Sequence, residues 1–142
     1  MDIKETLIYV CRRLYDCGFV TATDGNVSFR LPNGNILATP TGVSKGFVQT
    51  HNLVEIDIDG NVISGDLKPS SEIKMHLLFY KQRPDVNAVV HAHPSYATGF
   101  ATAGIAMDQC VFPEVLVILG GIPLSKYGTP STTEVTDAIL PY

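Results

Sequence analysis

Apolar residues recur at Ile3, Leu7, Cys11, Leu14 and Tyr15, a three-and-four spacing that predicts an amphipathic helix over residues 2–17. Asp2 followed by Glu5 has the form of a capping box, and Gly18 suits the position just past the helix end. The period then shortens to two. Val27 to Arg30 alternates, Pro32-Asn33-Gly34 is a turn signal, and Ile36-Leu37-Ala38 returns as a second strand. Val54 to Ile58, Asp59-Gly60 and Asn61 to Ile63 repeat the pattern as the clearest hairpin of the chain. Ile73, His76, Leu77 and Tyr80 form one stripe of a helix running to about Gln82, with Ser70 or Ser71 as its N-cap and Glu72 in its first turn. Asp85 to His91 reads as a strand. Ser95 to Ala103 is small and apolar and predicts a helix packed tightly on the sheet. Val115 to Leu119 is a continuous apolar run, which suits a strand buried on both faces and ended by Gly120-Gly121. Ser131-Thr132-Thr133-Glu134 is a capping box that opens a last helix. Helices that alternate with hairpins and single strands predict a three-layer α/β architecture on a mixed, mostly antiparallel sheet.

The polar positions that interrupt this pattern carry the chemistry. In Val89-Val90-His91-Ala92-His93-Pro94, side chains two apart on a strand point to one side, so His91 and His93 share a face. Pro94 ends the strand by removing a backbone donor. Two imidazoles on one rigid face are half of a metal site; they are equally two polar residues on a solvated strand face. Pro69-Ser70-Ser71-Glu72 sets two hydroxyls at a helix N-terminus, where backbone N–H groups and the helix dipole both favour an anion. Thr39-Pro40-Thr41-Gly42 is a small-residue loop able to present N–H groups, or an ordinary connection. Asp24-Gly25-Asn26 is turn chemistry in which Gly25 permits close approach of a ligand and Asn26 offers a side-chain donor. His76 lies on an apolar stripe and reads as a core or interface histidine, and His51 as exposed.

Composition narrows the classes. A chain of 142 residues with 45% hydrophobic and 17% charged residues can build one domain with its own core. A net charge of −4 without a Lys/Arg run argues against nucleic acid as the main partner. No apolar run approaches membrane-spanning length, and the N-terminus has no signal-peptide pattern. Cys11, Cys17 and Cys110 are odd in number and fit no disulfide framework, so they read as partly buried apolar residues in a reducing cytoplasm.

Taken together, Asp24-Gly25-Asn26-Val27-Ser28, Thr39-Pro40-Thr41-Gly42, Lys68-Pro69-Ser70-Ser71-Glu72, Val90-His91-Ala92-His93-Pro94 and Pro113-Glu114-Val115 resemble the class II aldolase/adducin superfamily, most closely its fuculose-1-phosphate aldolase branch. The resemblance implies a three-layer α/β/α domain over residues 1–142, shortened at its C-terminal end. It implies a zinc-dependent lyase that cleaves or forms a small ketose 1-phosphate by retro-aldol chemistry through an enediolate. His91 and His93 would be two of three histidine ligands to one Zn²⁺ per subunit, with Glu72 as the acid/base residue. Gly25, Asn26, Thr41, Gly42, Ser70 and Ser71 would bind the substrate and its phosphate. Glu114 stands where the branch has an active-site tyrosine and is a possible substrate-side residue. The family's third histidine and its C-terminal catalytic tyrosine have no counterpart in this chain, and Glu72 is left as a provisional third ligand. The family usually forms a four-fold symmetric homotetramer with active sites between subunits. Sugar-phosphate 4-epimerases and dehydratases of the same superfamily, and a non-catalytic module like the adducin head, are the alternatives.

Overall fold

The computed structural model describes residues 2–108 and 113–142. Helix α1 spans Ile3–Asp16, and the strands are β1 (Asn26–Arg30), β2 (Ile36–Ala38), β3 (Val54–Ile56), β4 (Val62–Ser64) and β5 (Ala88–His91). Helices α2 (Ile73–Gln82), α3 (Ser95–Thr102), α4 (Pro113–Leu119) and α5 (Thr133–Ile139) complete the order. The strands lie in one sheet in the order β4-β3-β2-β1-β5, and each described pair is antiparallel. The parallel component of the expected mixed sheet is thus not found among the described residues.

Alternation along the strands builds two cores. On one face Val27 and Leu37 pack with Leu7 and Cys11 of α1 and with Val48 and Leu53. On the other, Ile36, Val54 and Ile56 pack with Leu77 and Tyr80 of α2. A sheet covered by a helix on each face is the predicted α/β/α sandwich. Both hairpin turns are closed by side chains: Asn33 Oδ1 accepts from the Asn35 N–H, and Asp57 Oδ1 from the N–H groups of Asp59 and Asn61.

Several expectations are corrected. Pro113 to Leu119 is helical rather than a buried strand, and Val117 and Ile118 are 83% and 78% exposed. An unbroken apolar run has no period to separate strand from helix. Proline followed by an acidic residue is a helix-opening pair, and here it decides the matter. Helix α3 buries no residue; it follows β5, which among the described residues is the edge strand, paired with β1. Asp2 caps α1 through its carbonyl, which accepts from the Thr6 N–H and hydroxyl, and makes no side-chain cap bond. The N-cap of α2 is Glu72, one residue past the serines. Strand β5 ends at His91, three residues before Pro94. At α5 the cap is Thr132, whose hydroxyl accepts from the Glu134 N–H, while the Glu134 carboxylate binds Thr129 instead. Cys11 is buried, with its thiol pushed up to about 12 by burial; Cys17 is exposed, and Cys110 lies outside the described residues. His51 is exposed as expected. Among the described residues no helix is long and apolar enough to cross a membrane.

Gly25 joins the first helix to the sheet at φ +68°, and a Cβ there would lie 2.9 Å from the His91 carbonyl oxygen and against Val20. Gly25→Ala is therefore expected to cost about 1–3 kcal/mol in a denaturant titration, from the left-handed backbone and the clash together. Loss of less than about 0.5 kcal/mol would show that the chain reroutes freely at this point.

Candidate active site

Register places the site. Asn26 opens β1 and pairs with His91 at the end of β5, so both side chains share the α2 face of the sheet. Beside them the 39–42 loop is tied to the segment before α2: Thr41 N–H donates to the Lys68 carbonyl, and Ser70 N–H to that of Thr39. A cavity of about 440 Å³ opens between these segments. It is lined by Gly25, Asn26, Thr41, Gly42, Ser70 and Ser71, and also by Glu72, His91 and His93. Nine of the ten predicted site residues therefore share one cavity. Glu114, in the first turn of α4, is exposed and is not among the residues lining it.

The histidines converge. His93 N–H on the backbone donates to the Phe19 carbonyl, which holds the residue beyond the strand end. The two Nε2 atoms are 3.2 Å apart. Two imidazole nitrogens bound tetrahedrally to one Zn²⁺ at about 2.0–2.1 Å would stand roughly 3.3 Å apart. Asp24 Oδ2 lies 3.3 Å from His93 Nδ1. A carboxylate only accepts, so Nδ1 carries the hydrogen and Nε2 keeps its lone pair for a metal, a recurrent way of orienting a ligand histidine. Asp24 is itself held by the backbone N–H and hydroxyl of Thr21. His91 Nδ1 is buried with no partner among the described residues. Burial, then the charge of His93, holds His91 below the usual histidine pKa, which keeps its nitrogen free for a ligand. This pair fits a divalent metal. Among the described residues no group of three or more His, Cys, Asp and Glu side chains gathers there, so Glu72 is not a third ligand in this geometry. Its Oε1 accepts instead from the Ser131 hydroxyl at 2.8 Å, in a residue with φ +67°.

The cavity walls are braced from behind. Lys45 is buried, and its ammonium donates to the carbonyls of Thr23 at 3.0 Å and Val43 at 2.8 Å, tying the two loops that carry Asp24–Asn26 and Thr41–Gly42. Desolvation holds this amine below the usual lysine pKa. His76, the predicted core histidine, is fully buried and hydrogen-bonded on both nitrogens, to Ser28 Oγ and Asn26 Oδ1. Asp24, Lys45, Ser28, Met75, Pro130 and Val135 were not legible as site or supporting residues. The signal for Ser28 and His76 was present, since each is polar on an otherwise apolar face and so requires a buried partner.

The model of the class II aldolase and adducin N-terminal domain matches residues 5–142. The chain belongs to this family. It is 38% identical to an L-fuculose phosphate aldolase of Methanococcus maripaludis over 98% of this chain and 74% of that protein. It is 34% identical to a 3-oxo-tetronate 4-phosphate decarboxylase of Escherichia coli, over 91% of this chain and 62% of that one. Among solved structures, an L-fuculose 1-phosphate aldolase superposes with a TM-score of 0.88 at 30% identity, covering 96% of this chain and 65% of its own. The chain thus spans 62% to 74% of the length of these three relatives, and it shares the fold of the solved one.

Proposed function

We propose that this class II aldolase chain carries the site of a metal-dependent lyase acting on a small ketose 1-phosphate. The observation that supports the reading is the single cavity in which a histidine pair and a carboxylate meet a cluster of hydrogen-bond donors. The phosphate sits against Ser70, Ser71, Asn26 and the Thr41-Gly42 loop, at the end of α2, where hydroxyls and N–H groups favour an anion. Anchoring that remote group orients the reacting carbons, so binding there lowers the barrier elsewhere. A divalent metal held by His91 and His93, most simply one Zn²⁺ per subunit, supplies a Lewis acid for the substrate carbonyl. Glu72 moves the proton: its carboxylate takes it from the substrate hydroxyl as the carbon–carbon bond breaks, and returns it to carbon. Ser131 holds the Glu72 carboxylate from the far side. The same reading includes a homotetramer in a cytoplasmic setting.

A second reading has one observation in its favour, the likeness to the decarboxylase. Loss of CO₂ from a 3-oxo acid phosphate also leaves a stabilised enolate, and so asks the same of the site. The chain loaded with Zn²⁺ is to be assayed against ketose 1-phosphates for dihydroxyacetone phosphate release and against 3-oxo acid phosphates for CO₂. Aldehyde and triose phosphate without CO₂ support the aldolase; CO₂ alone transfers the site to the decarboxylase. Glu72→Gln is expected to lower kcat by about 10²–10⁴ with little change in substrate binding. A near-normal kcat removes Glu72 from proton transfer.

A further inference from the structure

Behind the cavity a buried chain of hydrogen bonds runs from Tyr80 through Ser28 and His76, which the reaction scheme above does not use, to Asn26 and Ser70, which it does. Tyr80 Oη is 2.8 Å from Ser28 Oγ, and Ser28 Oγ is 2.7 Å from His76 Nδ1. His76 Nε2 meets Asn26 Oδ1, and Asn26 Nδ2 donates to Ser70 Oγ at 2.8 Å. All five residues are buried. The polarity is set by an atom that can only accept, Asn26 Oδ1. His76 must then carry its hydrogen on Nε2, leaving Nδ1 to accept from Ser28. The consequence falls on Ser70. Its oxygen accepts from Asn26 Nδ2 and, at 3.3 Å, from the Glu72 N–H, which uses both lone pairs. The hydroxyl hydrogen is left to face the cavity. Asn26 Nδ2 meets one acceptor among the described residues and keeps a second hydrogen for a ligand.

We propose that His76 is a positioning residue that makes the Asn26–Ser70 side of the anion cradle a donor-only surface, by fixing Asn26 and through it the Ser70 hydroxyl. Such a surface selects a fully ionised phosphate monoester over the free hydroxymethyl end of an unphosphorylated sugar, whose oxygen can accept there but whose own hydrogen is left without an acceptor. The inverted arrangement, with His76 protonated on Nδ1, would turn the Asn26 amide over and draw the Ser70 hydrogen inward, leaving a lone pair toward the ligand. The neutral ring that the relay needs is favoured by burial, which pushes His76 down to about 3.

The inference rests on the phosphate reading above, and the test separates the two. Inorganic phosphate is titrated into the full chain and into His76→Leu, His76→Gln, Ser28→Ala and Ser70→Ala. Imidazole ¹⁵N spectra of the unaltered chain report the His76 tautomer. Expected are an Nε2–H ring, a phosphate affinity at least about tenfold lower in His76→Leu and Ser70→Ala, and no further loss in the double variant. His76→Gln, whose amide can still donate to Asn26, recovers most of the affinity. Ser28→Ala, which survives if His76→Leu does not fold, weakens phosphate and admits the second tautomer. An Nδ1–H ring, or full affinity in folded His76→Leu while Ser70→Ala loses it, overturns the role of His76 and leaves the phosphate site standing. No phosphate binding to the unaltered chain overturns the phosphate reading and the proposal with it.

Discussion

Replacing both His91 and His93 by Ala is expected to strip the chain of divalent metal and to reduce any lyase activity to background, while the fold persists. The metal loss follows from the geometry, since the two Nε2 atoms converge at 3.2 Å and no third ligand is gathered beside them among the described residues. A site with two anchors cannot lose both and keep a measurable affinity. Persistence of the fold follows from packing. Neither histidine belongs to either buried cluster, and His93 keeps nearly half of its side chain in solvent. Relief of the buried His91 Nδ1, which has no partner among the described residues, partly offsets the lost packing. The measurement is metal content after dialysis against a weak chelator, with circular dichroism as the control. An unchanged metal content in the double variant sinks the assignment, and with it the Lewis acid in the proposed reaction.

How far the sequence carried these conclusions differs from residue to residue. The hairpin strands were legible because alternation and turn chemistry are local: Val27 to Arg30 and Ile36 to Ala38 flank Pro32-Asn33-Gly34, and nothing distant is needed to pair them. The histidine pair was legible in part: the strand reading placed His91, but the strand ends there, and the bond from the His93 N–H to the Phe19 carbonyl, which brings His93 beside it, is not local. Pro113 to Leu119 was not, because an aperiodic apolar run is compatible with strand and helix, and the helix-opening Pro113-Glu114 lies just outside that run. Asp24 read as a turn residue, and only the return of the chain 69 residues later brings His93 against it. The relay from Tyr80 to Ser70 links residues 44 to 52 apart, and such a contact has no local signature. Sequence therefore named the groups that line the cavity, and folding supplied those that brace them.

The relay also makes the fold sensitive to acid. His76 is neutral and fully buried, and its pKa falls from 6.5 to about 3, first through burial and then through the charge of His91. In the unfolded chain the same imidazole binds a proton below about pH 6.5. Between these values the unfolded state therefore holds more protons than the folded one, and stability falls as pH falls. The contribution is complete above about pH 6.5 and is lost on the way down to about pH 3, at a limiting slope of about 1.4 kcal/mol per pH unit. His91, also held low, acts in the same direction in the metal-free chain. The carboxylates with lowered values, the half-buried Glu55 and Asp57 and the exposed Asp85 and Glu134, start from 3.8 to 4.5, so they act mainly at lower pH. The interval from pH 6.5 to 4.5 belongs to the histidines. Across it the metal-free chain is expected to lose about 2–3 kcal/mol, a large part of what a domain this size has to lose. Denaturant midpoints at half-unit steps of pH measure it. In His76→Gln, which cannot take up the proton, the slope over this interval should fall by at least half. An unaltered slope in that variant assigns the acid sensitivity to other groups and shows that the imidazole takes up its proton as readily in the fold as out of it.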